Sequence, residues 1–238
     1  MVAESLERQT DMASISITAN DGHTFACWYA KAKGQKRGSI VVLQEIFGVN
    51  HHIQAVCESL AVQGYEAYAP ALFDRLEPGF ATGYSKEEIA NALKFLPKLN
   101  WDLMITDVLA TVQHARASLN ESVSVLGFCL GASVAYLAGQ RGSGIAAVVG
   151  YYGGQIVNHL QEPPRVPSLL HFGETDHTIP MSDVKRIQVE RPECELHVYP
   201  AGHGFNCDER ASFDATSANL AWDRSLKWLE RHAKTSSH

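Results

Sequence analysis

The sequence predicts an α/β fold: a mostly parallel central sheet flanked by helices on both faces, with antiparallel N-terminal strands. Three observations carry that expectation. Apolar runs of strand length alternate with helix-period segments along most of the chain, the pattern of successive β-α-β units. From residue 39 onward several of these runs are continuous rather than alternating, the mark of strands covered on both faces. Ahead of them, two β-rich segments flank the polar turn Asn20-Asp21-Gly22, which reads as a hairpin.

Taken in order, Ser14 to Thr18 and Thr24 to Ala30 are the hairpin strands, and Ser39-Ile40-Val41-Val42-Leu43 is the first buried strand. Asn50 to Gln63 reads as a helix stopped by Gly64, and Tyr65 to Ala69 as a strand ended by Pro70. Leu72 to Leu99 opens polar and turn-rich; it is either a lid over the sheet or an ordinary helical crossover. Asn100 suits an N-cap, with Met104, Val108, Val112 and Ala115 on one face of the helix that follows. Val123 to Leu126 is the next strand and leads into the small-residue, helix-capable stretch Ala132 to Leu137. Ile145 to Val149 and Val166 to Phe172 are buried strands, Met181 to Val189 a helix and Glu195 to Tyr199 a strand. A last helix carries Trp222, Leu226 and Leu229 at i, i+4, i+7. With no internal repeat and no low-complexity linker, residues 1–238 read as one domain.

Composition narrows the function classes. A chain of 238 residues, 45% hydrophobic, can bury one substantial core. A net charge of -6 with scattered Lys and Arg argues against nucleic acid as partner. No apolar stretch approaches the ~20 residues of a membrane span, and Met1 to Met12 lacks the basic and apolar regions of a secretion signal, so a cytoplasmic protein is expected. The five cysteines are dispersed, with no C-x-x-C pair, which reads as reduced thiols rather than a disulfide framework or zinc site. Cys27, Cys57 and Cys194 read as packing residues. His51-His52, and His171 with His177, lack H-E-x-x-H or a comparable spacing, so no metal is expected.

The chemistry concentrates at three strand ends. Gly127-Phe128-Cys129-Leu130-Gly131 joins a strand to a helix, the setting of a nucleophile elbow with sulfur in place of the hydroxyl oxygen. Asp176 follows the next-but-one strand, within Gly173-Glu174-Thr175-Asp176, and His203 the last, within Ala201-Gly202-His203-Gly204-Phe205. Nucleophile, acid, histidine is the chain order of α/β-hydrolases. A thiol with a pKa near ~8.5 needs a base or cation beside it at neutral pH, and a carboxylate fixes the imidazole tautomer. Alone, each residue has an ordinary reading as a strand–helix turn, a helix cap or a solvated histidine. Their order and placement point to catalysis.

These motifs, together with Gln44-Glu45-Ile46-Phe47-Gly48-Val49-Asn50, Gly150-Tyr151-Tyr152-Gly153 and Asp176-His177-Thr178-Ile179-Pro180, resemble those of the dienelactone hydrolase family of the α/β-hydrolase fold, over roughly Ser14 to Arg231. The resemblance implies a triad of Cys129, Asp176 and His203, and an oxyanion hole made by the backbone N–H groups of Ile46 and Leu130. It implies that Glu45 lies beside the thiol in the resting enzyme and swings away as substrate binds. It implies hydrolysis of small activated esters or lactones such as dienelactone-type enol lactones, through an acyl-enzyme and with no cofactor. Tyr151, Arg75, Tyr84 and Phe205 are candidate pocket residues. The pattern also breaks: the family arginine four residues beyond the catalytic histidine is Cys207 here, which leaves a substrate carboxylate without that anchor. Arg75 and Arg210 are the cations available to replace it, although each reads by itself as a surface charge. A thioesterase or acyl-transferase would use the same groups, and a reactive-thiol binding protein only the sulfur. The expected partner is a small-molecule ester or lactone, and the expected assembly a monomer or small homo-oligomer.

Overall fold

The computed structural model describes residues 12–119 and 123–232; the stretch read for a secretion signal lies outside them except for its last residue. The strands are β1 (Met12–Thr18), β2 (Thr24–Ala30), β3 (Gly38–Leu43), β4 (Tyr65–Pro70), β5 (Val123–Phe128), β6 (Ile145–Tyr151), β7 (Ser168–Gly173) and β8 (Glu195–Tyr199). The helices are α1 (His51–Val62), α2 (Lys86–Leu93), α3 (Trp101–Leu119), α4 (Leu130–Arg141), α5 (Met181–Glu190) and α6 (Ala215–His232). One sheet holds all eight strands in the order β1-β2-β4-β3-β5-β6-β7-β8. The β1–β2 and β2–β4 pairs are antiparallel and the rest are parallel.

The elements form where the residue pattern puts them. The hairpin closes through Gly22, whose φ of 86° suits a residue without a Cβ. Every residue of β3, β4, β5 and β7 is buried, as continuous apolar runs require of strands with helices on both sides. One face packs against Ile53, Val56 and Leu60 of α1 and Ala221, Trp228 and Leu229 of α6. The other packs against Met104, Ile105, Val108 and Val112 of α3 and Val134 and Leu137 of α4. Cys27 and Cys57 are wholly buried core residues, as expected.

Residues 72–99 contain a helix the sequence reading did not resolve. Ser85 and Glu88 form a capping box that starts α2. The segment is tied down by a triplet of rings, Phe73, Phe80 and Phe95, with centroids 4.4 to 5.9 Å apart. Backbone bonds add to this: Thr82 N–H donates to Phe47 O at 3.0 Å, and Leu72 N–H donates to Gln44 Oε1 at 3.1 Å. It therefore covers the loop that follows β3.

Arg75 lies in this segment but is committed elsewhere. Its guanidinium grips Asp107 of α3 with two bonds of 2.8 and 2.7 Å and reaches Asp21 at 2.8 Å. The Asp107 side chain is 1% exposed, so the arginine neutralises a buried carboxylate. This corrects the expectation that Arg75 belongs to the substrate pocket. Arg75→Met should lower unfolding free energy by about 3–5 kcal/mol, because it strands a buried charge, and should leave KM for esters unchanged. Urea denaturation alongside steady-state kinetics checks this; an unchanged midpoint with a raised KM would return Arg75 to the pocket.

Candidate active site

The sheet delivers three loops to one place. β5, β7 and β8 are parallel, so the residues following them emerge at one end of the sheet, where open α/β sheets bind ligands. Between β5 and α4, Cys129 adopts φ 52° and ψ -112°, a conformation that side chains rarely take and that costs of order 1–3 kcal/mol. The surroundings enforce it. Cys129 N–H donates to Tyr151 O at 2.9 Å, and Gly131 N–H to Gln44 O at 3.0 Å. A Cβ on Gly131 would press into the carbonyl oxygens of Leu43 and Gln44, and one on Gly127 into the Gly131 carbonyl, so both flanking glycines are steric requirements.

The three side chains meet. Cys129 Sγ lies 3.2 Å from His203 Nε2, and His203 Nδ1 lies 2.7 Å from Asp176 Oδ2. The second Asp176 oxygen accepts from Thr178 N–H (2.8 Å), Thr178 Oγ1 (2.7 Å) and Ile179 N–H (3.2 Å), which fixes the carboxylate plane. Backbone bonds between the β7 and β8 loops, such as Thr175 N–H to Ala201 O at 3.0 Å, hold the acid and imidazole together. Burial favours a neutral Asp176, but the bonds from His203 and Thr178 prevail and keep it below its usual carboxylate range. Burial likewise opposes an imidazolium at His203, yet the flanking Cys129 and Asp176 outweigh it and push the ring up to about 10. The amide N–H groups of Ile46 and Leu130 have no carbonyl partner among the described residues; Leu130 opens α4, whose N-terminal dipole end favours negative charge.

Glu45 departs from the expected resting arrangement. Its side chain is 1% exposed and accepts from Arg210 Nη1 at 2.8 Å and from Tyr84 Oη at 3.2 Å, while the hydrogen-bond partner of the thiol is His203. Arg210 is thus not a surface charge: it spans Glu45 and the rings of Phe47 and Tyr84, 5.7 and 5.8 Å from its guanidinium carbon. Tyr84 is also in the site, its hydroxyl accepting from Asn50 Nδ2 at 3.0 Å while donating to Glu45. A cavity of about 630 Å³ opens beside them, lined by Gly83, Tyr84, Ser85, Ile89, Glu209 and Arg210. Cys207, where the family arginine was expected, is fully buried, and burial pushes its thiol up to about 11.

Two expected pocket aromatics belong to the core. Tyr151 is fully buried and its hydroxyl bonds Ser225 Oγ at 2.6 Å. Phe205 is fully buried against Tyr152 and Tyr199. The ring that reaches the triad is Tyr152, 5.0 Å from the His203 ring centroid. Its φ of 44°, one residue past the end of β6, turns its ring away from the direction that Tyr151 takes as the last strand residue. Among the tempting histidines, His171 is spoken for: its two ring nitrogens bond Tyr199 Oη (2.8 Å) and Ser225 Oγ (3.0 Å). His51 pairs with Glu209. His52 is buried, with Nε2 unpartnered.

The chain is similar to known proteins. A model of the "Dienelactone hydrolase family" matches residues 19–233. A "Carboxymethylenebutenolidase" of Pseudomonas putida is 33% identical over 224 residues, covering 90% of this chain and 94% of the relative. A "Putative carboxymethylenebutenolidase" of Synechocystis sp. is 36% identical over 213 residues, covering 82% and 86%. The crystal structure of a "Putative Dienelactone Hydrolase" from Klebsiella pneumoniae superposes with a TM-score of 0.80 at 28% identity, covering 91% of this chain and 97% of that one.

The coupling of sulfur to imidazole is open to direct measurement. His203 should titrate near pH 10 by NMR of its ring protons, and in Cys129→Ala its pKa should fall toward the ordinary ~6.5. Because the folded-state pKa is the raised one, this pair stabilises the fold fully below ~6.5 and loses that contribution as pH climbs through 10. A titration indifferent to loss of the sulfur would disprove the coupling.

Proposed function

The chain belongs to the dienelactone hydrolase family and has its α/β-hydrolase fold, and from that premise we propose that it hydrolyses small activated esters or lactones, of the enol-lactone kind, through an acyl-enzyme on Cys129. The observation that carries the reading is the continuous chain Cys129–His203–Asp176, with contacts of 3.2 and 2.7 Å. His203 takes the thiol proton and Asp176 holds the ring in the tautomer and orientation that let it do so. The thiolate attacks the carbonyl carbon, and the oxyanion forms against the free amides of Ile46 and Leu130, each donor contributing on the order of 3 kcal/mol at the transition state. The imidazolium then protonates the leaving oxygen. Water, deprotonated by the same ring, attacks the thioester and releases the acid. An enolate leaves more readily than an alkoxide, so enol lactones and aryl esters are better substrates than alkyl esters.

Glu45 and Arg210 supply selectivity in this reading. In the arrangement described, the carboxylate is turned onto Arg210 and Tyr84 and the sulfur is left to His203, which corresponds to the activated side of the swing the family resemblance implies. A carboxylate on the substrate competes with Glu45 for Arg210. The guanidinium thereby does from Arg210 what Cys207 cannot.

Two experiments test these steps. Brief reaction with an aryl ester or enol lactone, followed by acid quench and mass spectrometry, should find the acyl group on Cys129; Cys129→Ser should lose at least about 100-fold in turnover. Turnover retained in Cys129→Ala would exclude the nucleophile. Arg210→Gln should raise KM at least tenfold for carboxylate-bearing lactones and change it little for neutral p-nitrophenyl acetate, and equal effects on both would remove Arg210 from substrate recognition.

A further inference from the structure

Glu45 also belongs to a second group of side chains, whose other two members the hydrolytic reading does not use. A carboxylate oxygen of Glu45, a ring nitrogen of His52 and Cys207 Sγ all lie within 4.8 Å of one another, and all three residues are buried. They come from three places, the loop after β3, the first turn of α1 and the loop after β8, so no sequence spacing announces them. His52 is 4% exposed and its Nε2 has no hydrogen-bond partner. A buried, unpaired ring nitrogen gives up its hydration and gains nothing in return, and folded proteins rarely leave one without a use.

We propose that Glu45, His52 and Cys207 form a binding site for one zinc-class divalent cation. One thiolate, one imidazole and one carboxylate are the donor types of a borderline-soft metal. Ideal bonds of about 2.0–2.3 Å place ligand atoms ~3.5 Å apart, about 1 Å inside the present spread, a distance side-chain rotation can close. Arg210 occupies Glu45 Oε1, and among the described residues Oε2 holds only the Tyr84 hydroxyl at 3.2 Å, so one carboxylate oxygen can turn to a metal while the guanidinium keeps the other. Binding releases the Cys207 proton to solvent, with water in the fourth position. A solvent cavity of about 230 Å³ reaches His52, and Asp208 in its wall attracts cations. The inference goes beyond the hydrolytic reading; the two share Glu45, but metal binding is read without turnover, so either can fail alone.

The test uses the full chain carrying Cys129→Ala, which removes the one cysteine of the five that is not buried. One equivalent of Zn²⁺ per chain should be withheld from a chromogenic chelator, and Co²⁺ should give thiolate-to-metal absorption in the near ultraviolet. Adding Cys207→Ser should abolish that absorption. Adding His52→Phe, which suits the ring's edge-on contact with Phe128, should weaken Zn²⁺ binding at least tenfold and remove the rise in Tm that Zn²⁺ produces in the parent; it decides the matter if Cys207→Ser fails to fold. No Zn²⁺ retention in the parent, absorption surviving loss of Cys207, or an affinity indifferent to His52 would each overturn the proposal.

Discussion

The backbone of Cys129 is the constraint on which the rest of the site depends. A non-glycine residue at φ 52° does not stay there by its own preference; it is held by β6 on one side and the loop after β3 on the other. Gly131 is where the end of β3 and the loop after it come too close for a Cβ, and Gly127 is where the first turn of α4 does. Several consequences follow from the one turn. The sulfur stands clear of the sheet end, the first amide of α4 lies beside it, and the Gly131 bond to Gln44 O draws the loop that carries Glu45 and Ile46 against the elbow. The strain is local and the means of enforcing it are spread across a sheet whose parallel strands are buried on both faces.

Around that turn the charges form two sets. Asp176, His203 and Cys129 form a line in which each group sustains the charge of the next, and the raised basicity of His203 is the expression of that line. Arg210, Glu45 and Tyr84 form the other, joining the loop after β8 to the segment that covers the site. Burial raises the energy of isolated charges, so neither set could be dismantled one residue at a time without leaving an uncompensated ion. Burial and the neighbouring carboxylate also push the Tyr84 hydroxyl up, which keeps it a donor to Glu45.

Most of the fold and the three converging residues were legible in the sequence because they rest on local pattern. Continuous apolar runs mark buried strands, Asn50 and Asn100 cap helices with their side chains, and glycines mark the elbow. The misjudged residues all depend on distant partners. Whether Arg75 or Arg210 faces substrate is decided by Asp107 and Glu45, which are 32 and 165 residues away in sequence. Between Tyr151 and Tyr152 the choice turns on a single left-handed residue at a strand end, which no alternation rule anticipates. The capping box Ser85–Glu88 was present in the sequence as the start of a helix, but the surrounding turn-rich composition obscured it.

Asn50 ties the cover to the scaffold. Its Oδ1 accepts from Ile53 N–H to cap α1, while its Nδ2 donates to Thr82 O and to the Tyr84 hydroxyl. One amide therefore serves as both a helix cap and a latch. Any ligand bulky enough to pry residues 82–84 outward pulls on the same side chain that stops the first turn of α1 from fraying. The room for a large guest is thus set by how far residues 82–84 can move before that cap is given up.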